Sequence, residues 1–172
     1  MKISTVLRRR IPVAAILICA AANVRADLIA VQNYSFEIDK ITAGNYIGQR
    51  AIDWNFTGFV STYDPANSEI TGGAADGLNV AAVQGTATMS QVLTAVLQPY
   101  TTYTLTTEVG ERFDIGSGGY RIAIDAGAYE LAFDSSTAMV PGAFLTSTVT
   151  FVTGGSDPGL GQALSINVMA LG

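Results

Sequence analysis

The stretch Tyr103-Thr104-Leu105-Thr106-Thr107-Glu108-Val109 decides the fold. Side chains alternate across a strand, so Tyr103, Leu105, Thr107 and Val109 share one face and Thr104, Thr106 and Glu108 the other. Its β-branched and aromatic residues suit a pleated, half-buried surface. Gln98-Pro99-Tyr100 makes a turn ahead of it. Upstream, residues 28–36, 54–62, 78–83 and 88–97 read as strands. Downstream, residues 120–125, 129–133, 144–152 and 164–169 do the same. Residues 89–97 are the best helical candidate, but Thr94 and Val96 favour a strand. Tyr63-Asp64-Pro65-Ala66-Asn67 and Ala75-Asp76-Gly77 punctuate the runs, and Gly116-Ser117-Gly118-Gly119 reads as a hairpin loop. About nine or ten short strands and no helix predict an all-β sandwich or barrel.

The other end of the chain has a different character. Lys2 and Arg8-Arg9-Arg10 precede an apolar run over residues 11–22, and Val24-Arg25-Ala26 follows. A basic start, a short apolar core and a small-residue exit are the parts of a secretory signal peptide. The run is about a dozen residues, whereas a membrane span needs roughly 20, so an uncleaved anchor is disfavoured. The expected domains are a signal peptide, 1–26, and one β-sandwich domain, 27–172. The expected location is secreted, periplasmic or extracellular, with no membrane contact after cleavage.

Beyond residue 26 the chain has four basic residues (Lys40, Arg50, Arg112 and Arg121) against all 14 acids. Nucleic acids and anionic membrane surfaces are bound chiefly through Lys and Arg, so both partners are excluded. The sequence has no histidine, and its one cysteine, Cys19, lies in the signal. Disulfides, thiolate nucleophiles, Ser-His-Asp triads and ordinary zinc sites are excluded together. Any chemistry must use carboxylates, tyrosines, Lys40, arginines or a hard cation such as calcium.

Four stretches, read in order, resemble one family. Val31-Gln32-Asn33-Tyr34-Ser35-Phe36-Glu37 resembles a V-x-N-x-S/G-F-E opening, and Ile52-Asp53-Trp54 an I-P-G-W segment. Ala75-Asp76-Gly77-Leu78-Asn79-Val80-Ala81 with Ser90-Gln91-Val92-Leu93 resembles A-D-G-x-N-V-A … I-S-Q-T-L. Tyr100 to Leu105 with Val109-Gly110-Glu111-Arg112 resembles x-T-Y-T-L-x-x-x-V-G-x-R. These are marks of the secreted bacterial galactose-binding-like jelly roll, found in carbohydrate-binding modules and PEP-CTERM exported proteins. One distant branch is the calcium-dependent Stig cyclases, which make hapalindole-type alkaloids.

The resemblance implies a jelly-roll β-sandwich and a structural Ca2+ held by Glu37; Asp39 and Asp157 are candidate helpers on residue type alone. The family's closing F-D-N-V strand, with the aspartate that the cyclases would use as acid, has no counterpart before Gly172. The sandwich is therefore expected to lack its final strand, and the edge this leaves would favour a homodimer.

Among the remaining residues, Trp54, Tyr34 and Tyr120 are the candidate ligand-stacking aromatics, with Tyr46, Tyr63 and Tyr100 behind them. A Trp in such a motif is more often core. Asp76 and Asn79 beside Gly77 are expected to shape a turn. Glu108, Glu111 and Asp114 offer a carboxylate pair for glycoside hydrolysis, but that reaction needs two carboxyls at a defined separation across one bond. Arg112 and Arg121 are expected to be structural.

The first functional expectation is an exported, non-catalytic binding module for carbohydrate or another extracellular polymer. The alternatives are a calcium-dependent Stig-type cyclase acting on an apolar indole-terpenoid, and a structural extracellular protein without a small ligand. A deep aromatic cavity would favour the cyclase, and an exposed aromatic strip the sugar binder.

Overall fold

The computed structural model describes residues 27–136 and 138–172; the expected signal peptide, residues 1–26, lies outside them. Eight strands follow in chain order: β1 (Asn45–Gly48), β2 (Asn55–Asp64), β3 (Val80–Val96), β4 (Thr102–Glu111), β5 (Tyr120–Ala126), β6 (Tyr129–Asp134), β7 (Ala143–Val152) and β8 (Ala163–Ala170). They form a six-stranded sheet, β1-β2-β3-β8-β5-β6, and a two-stranded sheet, β4-β7. All the strand pairs are antiparallel. The all-β sandwich is as expected, and residues 89–97 are strand.

Three expectations are corrected. Residues 28–36 form no strand: residues 32–35 are turns, and Asn33 and Phe36 have φ of +47° and +61°. Those left-handed residues break an extended run. Residues 78–83 and 88–97 are not two strands but parts of one, β3, and the count falls to eight. Residues 116–119 are not a hairpin loop, because they carry the chain from β4 in the small sheet to β5 in the large one.

The joint within β3 is a bulge. Thr57 pairs with Thr88, but Phe59 pairs with Gln84, so the register jumps across Gly58. Gly58 has φ +75°, and a Cβ there would lie 2.9 Å from the Ala87 Cβ. Only glycine accepts that dihedral and that approach together.

The main core lies between the sheets, where Ile122, Ile124, Leu164 and Leu97 of the large sheet side meet Tyr103, Val109 and Val149 of the small one. Tyr103, Leu105, Thr107 and Val109 are the less exposed positions of β4, as the alternation predicts. A second cluster, Ala51, Val60, Ala87 and Met89, packs against Phe36, Trp54 and Phe56 near the bulge.

Candidate active site

The two-stranded sheet is narrower than the sheet it faces. Beside it lies a cavity of about 870 Å³. Its wall is mostly aromatic and aliphatic, with Phe36, Trp54, Phe59, Tyr63, Tyr120 and Phe144 among the lining side chains. Each is placed by its element. Phe59 and Tyr63 are two strand periods apart on β2, just past the bulge. Tyr120 opens β5, and Phe144 lies opposite Gly110 of β4. Phe36 and Trp54 come from the irregular N-terminal segment, with ring centroids 5.9 Å apart.

Trp54, Tyr34 and Tyr120, singled out from sequence, all reach this cavity. Their surroundings differ. Tyr34 is 68% exposed and Trp54 half-buried, with an indole Nε1 that is buried and unpartnered. Tyr120 is only 6% exposed, so it forms part of the inner wall. Tyr46 and Tyr63 also line the cavity, whereas Tyr100 lies outside the lining.

Two lining tyrosines donate to carboxylates. Tyr120 donates to Asp134 Oδ2, which also accepts from Ser147 Oγ at 2.5 Å. Asp134 Oδ1 accepts from Ser136 Oγ and N–H, at 2.6 and 2.9 Å. The Ser136, Ser147 and Tyr120 hydroxyls hold this carboxyl well below the usual carboxylate range. Because Ser147 belongs to β7 and Asp134 to β6, the cluster also ties the two sheets together.

The second pair is Tyr63 and Glu69. Tyr63 donates to Glu69 Oε2, which also accepts the Ala66 N–H at 2.8 Å. Burial, then the Glu69 bond, pushes the Tyr63 hydroxyl above its ordinary value. The same bond, with the Ala66 N–H and Arg112, pulls Glu69 down. Arg112 bridges Glu69 at 2.6 Å and Asp114 at 2.7 Å, and lies 5.4 Å from the Tyr63 ring centroid. Both tyrosine-bound carboxylates are thus held ionised. They suit stabilisation of positive charge rather than donation of a proton.

The carboxylates considered for glycoside hydrolysis diverge. Glu108 points to the outer side of β4 and accepts from Thr146 Oγ1 at 2.8 Å. Glu111 keeps the inward register, and Asp114 is bound to Arg112. No shared bond lies between them. Arg121 pairs with Glu130 at 2.5 Å and lies over the Phe133 ring, 4.1 Å from its centroid.

Glu37 accepts the backbone N–H groups of Leu78 and Asn79 at 2.8 and 2.7 Å. That contact fixes the 75–79 turn. Asn79 is buried and donates to the carbonyls of Phe36 and Asp39, while its Oδ1 has no partner. The Asp39 carboxylate is bound by Arg50 Nε at 2.8 Å, so it is not turned to Glu37 as a shared ligand. Asp157 binds the Gly154 N–H instead. Among the described residues, no three acidic, His or Cys side chains form a metal-holding group.

Comparison with known proteins bears on this site. The profile of the HpiC1-like family, described as HpiC1 cyclase, matches residues 27–172. The chain belongs to the HpiC1-like cyclase family. The chain is similar to the Stig cyclase Fisc from Fischerella sp. TAU, solved in complex with (3Z)-3-(1-methyl-2-pyrrolidinylidene)-3H-indole. The two are 26% identical over 83% of this chain and 88% of that one, with a TM-score of 0.74. An apo cyclase from Fischerella sp. is 28% identical over 83% and 86% of the chains, with a TM-score of 0.73. A cyclase from Fischerella sp. TAU in complex with 4-(1H-indol-3-yl)butan-2-one is 28% identical over 83% and 87%, with a TM-score of 0.72. A search of the curated proteins gives no match. The Stig-cyclase branch of the resemblance is the one these matches support. The carbohydrate-module and PEP-CTERM branch gains nothing from them.

Proposed function

We propose that this protein is a cyclase that folds an apolar, indole-bearing small molecule inside the cavity between its sheets. The observation that carries the reading is the aromatic cavity of about 870 Å³ in a member of the HpiC1-like family. Two of the similar Fischerella cyclases hold indole compounds, which supports the same ligand class here. Cyclisation of an unsaturated chain onto an indole develops positive charge. Ring faces such as those of Phe36, Trp54 and Phe59 stabilise a cation by about 0.5–2 kcal/mol each. The ionised Glu69 and Asp134 add a negative field behind Tyr63 and Tyr120. The chain's described contribution is to shape the substrate, exclude water and hold charge.

Calcium belongs to the proposal as a structural ion. The buried, unpartnered Asn79 Oδ1 beside the Glu37 carboxylate fits a hard cation, which takes carboxylate and amide oxygens. Asp39 is assigned no carboxylate role in it, because Arg50 occupies that group. Export rests on residues 1–26, and cell fractionation tests it.

The deciding experiment incubates the purified protein with an indole carrying an unsaturated isoprenoid chain. The expected result is a product of unchanged mass and altered chromatographic retention. An unchanged substrate, together with no binding of 4-(1H-indol-3-yl)butan-2-one, would overturn the cyclase reading.

A further inference from the structure

We infer that Glu111 makes the cavity favour aromatic ligands that carry or develop a positive charge, an inference that rests on reading this cavity as the substrate site. Glu111 closes β4 and continues the inward register of Tyr103, Leu105, Thr107 and Val109. It lines the cavity. Among the described residues its carboxylate accepts one hydrogen bond, from the Ser117 N–H to Oε1 at 3.1 Å. Oε2 is left for a ligand.

The cation of the lining cannot balance it. Arg112 is the basic side chain there, and its guanidinium is occupied by Glu69 and Asp114. The other lining carboxylates, Asp76 and Glu108, add charge of the same sign. The wall therefore offers an incoming anion no uncommitted guanidinium. An ammonium or amidinium group on an aromatic ligand would instead form a charge-assisted hydrogen bond with Glu111. The apolar lining strengthens both the attraction and the repulsion, because it lowers the local dielectric constant.

Three indoles of similar size test this by calorimetric titration: tryptamine (cationic), 4-(1H-indol-3-yl)butan-2-one (neutral) and indole-3-propionate (anionic). Tryptamine should bind about tenfold more tightly than the ketone, and the propionate more weakly than either. Glu111→Gln keeps an acceptor for the Ser117 N–H and removes the charge, so it should bring the three affinities together. Glu130→Gln removes the same charge from β6, outside the cavity lining, and should leave the order intact. Propionate binding as tightly as tryptamine would overturn the role of Glu111, and so would a Glu130→Gln effect equal to that of Glu111→Gln. In either case binding of the ketone would leave the cavity standing as the substrate site. Failure of all three ligands to bind would overturn the site and the selectivity together.

Discussion

Tyr120 of β5 donates its hydroxyl hydrogen to Asp134 at the end of β6, and the same carboxylate oxygen accepts from Ser147 on β7. A cavity wall, a sheet edge and the opposite sheet therefore meet at one ionised group. Tyr63 and Glu69 repeat the arrangement at another part of the wall. In both, a carboxylate fixes the orientation of a lining tyrosine.

The first prediction follows from the depressed ionisation of Asp134. A lowered folded-state pKa contributes stability that is complete above the unfolded value of about 3.9. It is lost as pH falls below that value toward the folded one. Asp134→Ala should cost about 2–3 kcal/mol at pH 7, because it strands the Tyr120 and Ser147 hydroxyls. Urea unfolding of this variant should show less acid loss than the wild type between pH 5 and pH 2. Parallel pH profiles would refute the assignment.

Asp125 predicts the opposite sign. Strand alternation puts it on the face of β5 away from Ile122 and Ile124. Asn167 binds its Oδ2, while its Oδ1 is buried without a partner. Burial raises its pKa. A raised carboxyl pKa destabilises the fold in full above that pKa, and the penalty fades as pH falls from it toward the unfolded value of about 3.9. Asp125→Asn should therefore raise the unfolding midpoint at pH 7, with a smaller gain at pH 4. A lowered midpoint at pH 7 would show that the charge is needed.

Calcium can be checked by the same method. Thermal unfolding with excess calcium and with EDTA should differ, since a ligand bound at 100 times its Kd stabilises by about 2.7 kcal/mol. Glu37→Gln should shrink that difference. Superimposed curves for the wild type would remove calcium, and Glu37 as its ligand, from the account.

β4 was legible because a half-buried strand writes its two faces into alternate residues. β1 was not, because all four of its residues are exposed and carry no such pattern. Gln84-Gly85-Thr86 looks like a turn between two strands, yet it is the bulge inside one. The 28–36 run is apolar because Val31 and Phe36 line the cavity, and apolar content alone cannot tell a packed turn from a strand. At the site, the aromatic residues could be named but not their depth. Tyr120 depends on Asp134, 14 positions away, and Glu69 meets Arg112 only through the fold.

The bulge gives a prediction of its own, with an internal control. Gly58 and Gly85 both have positive φ, +75° and +62°. A Cβ at Gly85 meets nothing within 4 Å, so Gly85→Ala should cost only the left-handed penalty, about 1–2 kcal/mol. Gly58→Ala adds the contact with Ala87 and should cost more than Gly85→Ala. Equal losses in chemical denaturation would mean that Ala87 gives way freely.

Trp54 supplies the last prediction, and it separates packing from polarity. It is the sequence's one tryptophan, so its emission reports on the cavity alone. Its half-buried ring against Phe36 should give blue-shifted native emission that moves to the red on unfolding. The ring is expected to form part of the wall, while its buried N–H lacks a partner. An unpaired buried donor costs about 1–3 kcal/mol. Trp54→Phe removes that donor and keeps an aromatic face, so stability should hold or rise and cyclisation should persist. Trp54→Ala removes the face as well, and both stability and product yield should fall. If Trp54→Phe abolished product formation while the protein stayed folded, the N–H itself would be acting on the substrate, and Trp54 would be a polar contact rather than a wall.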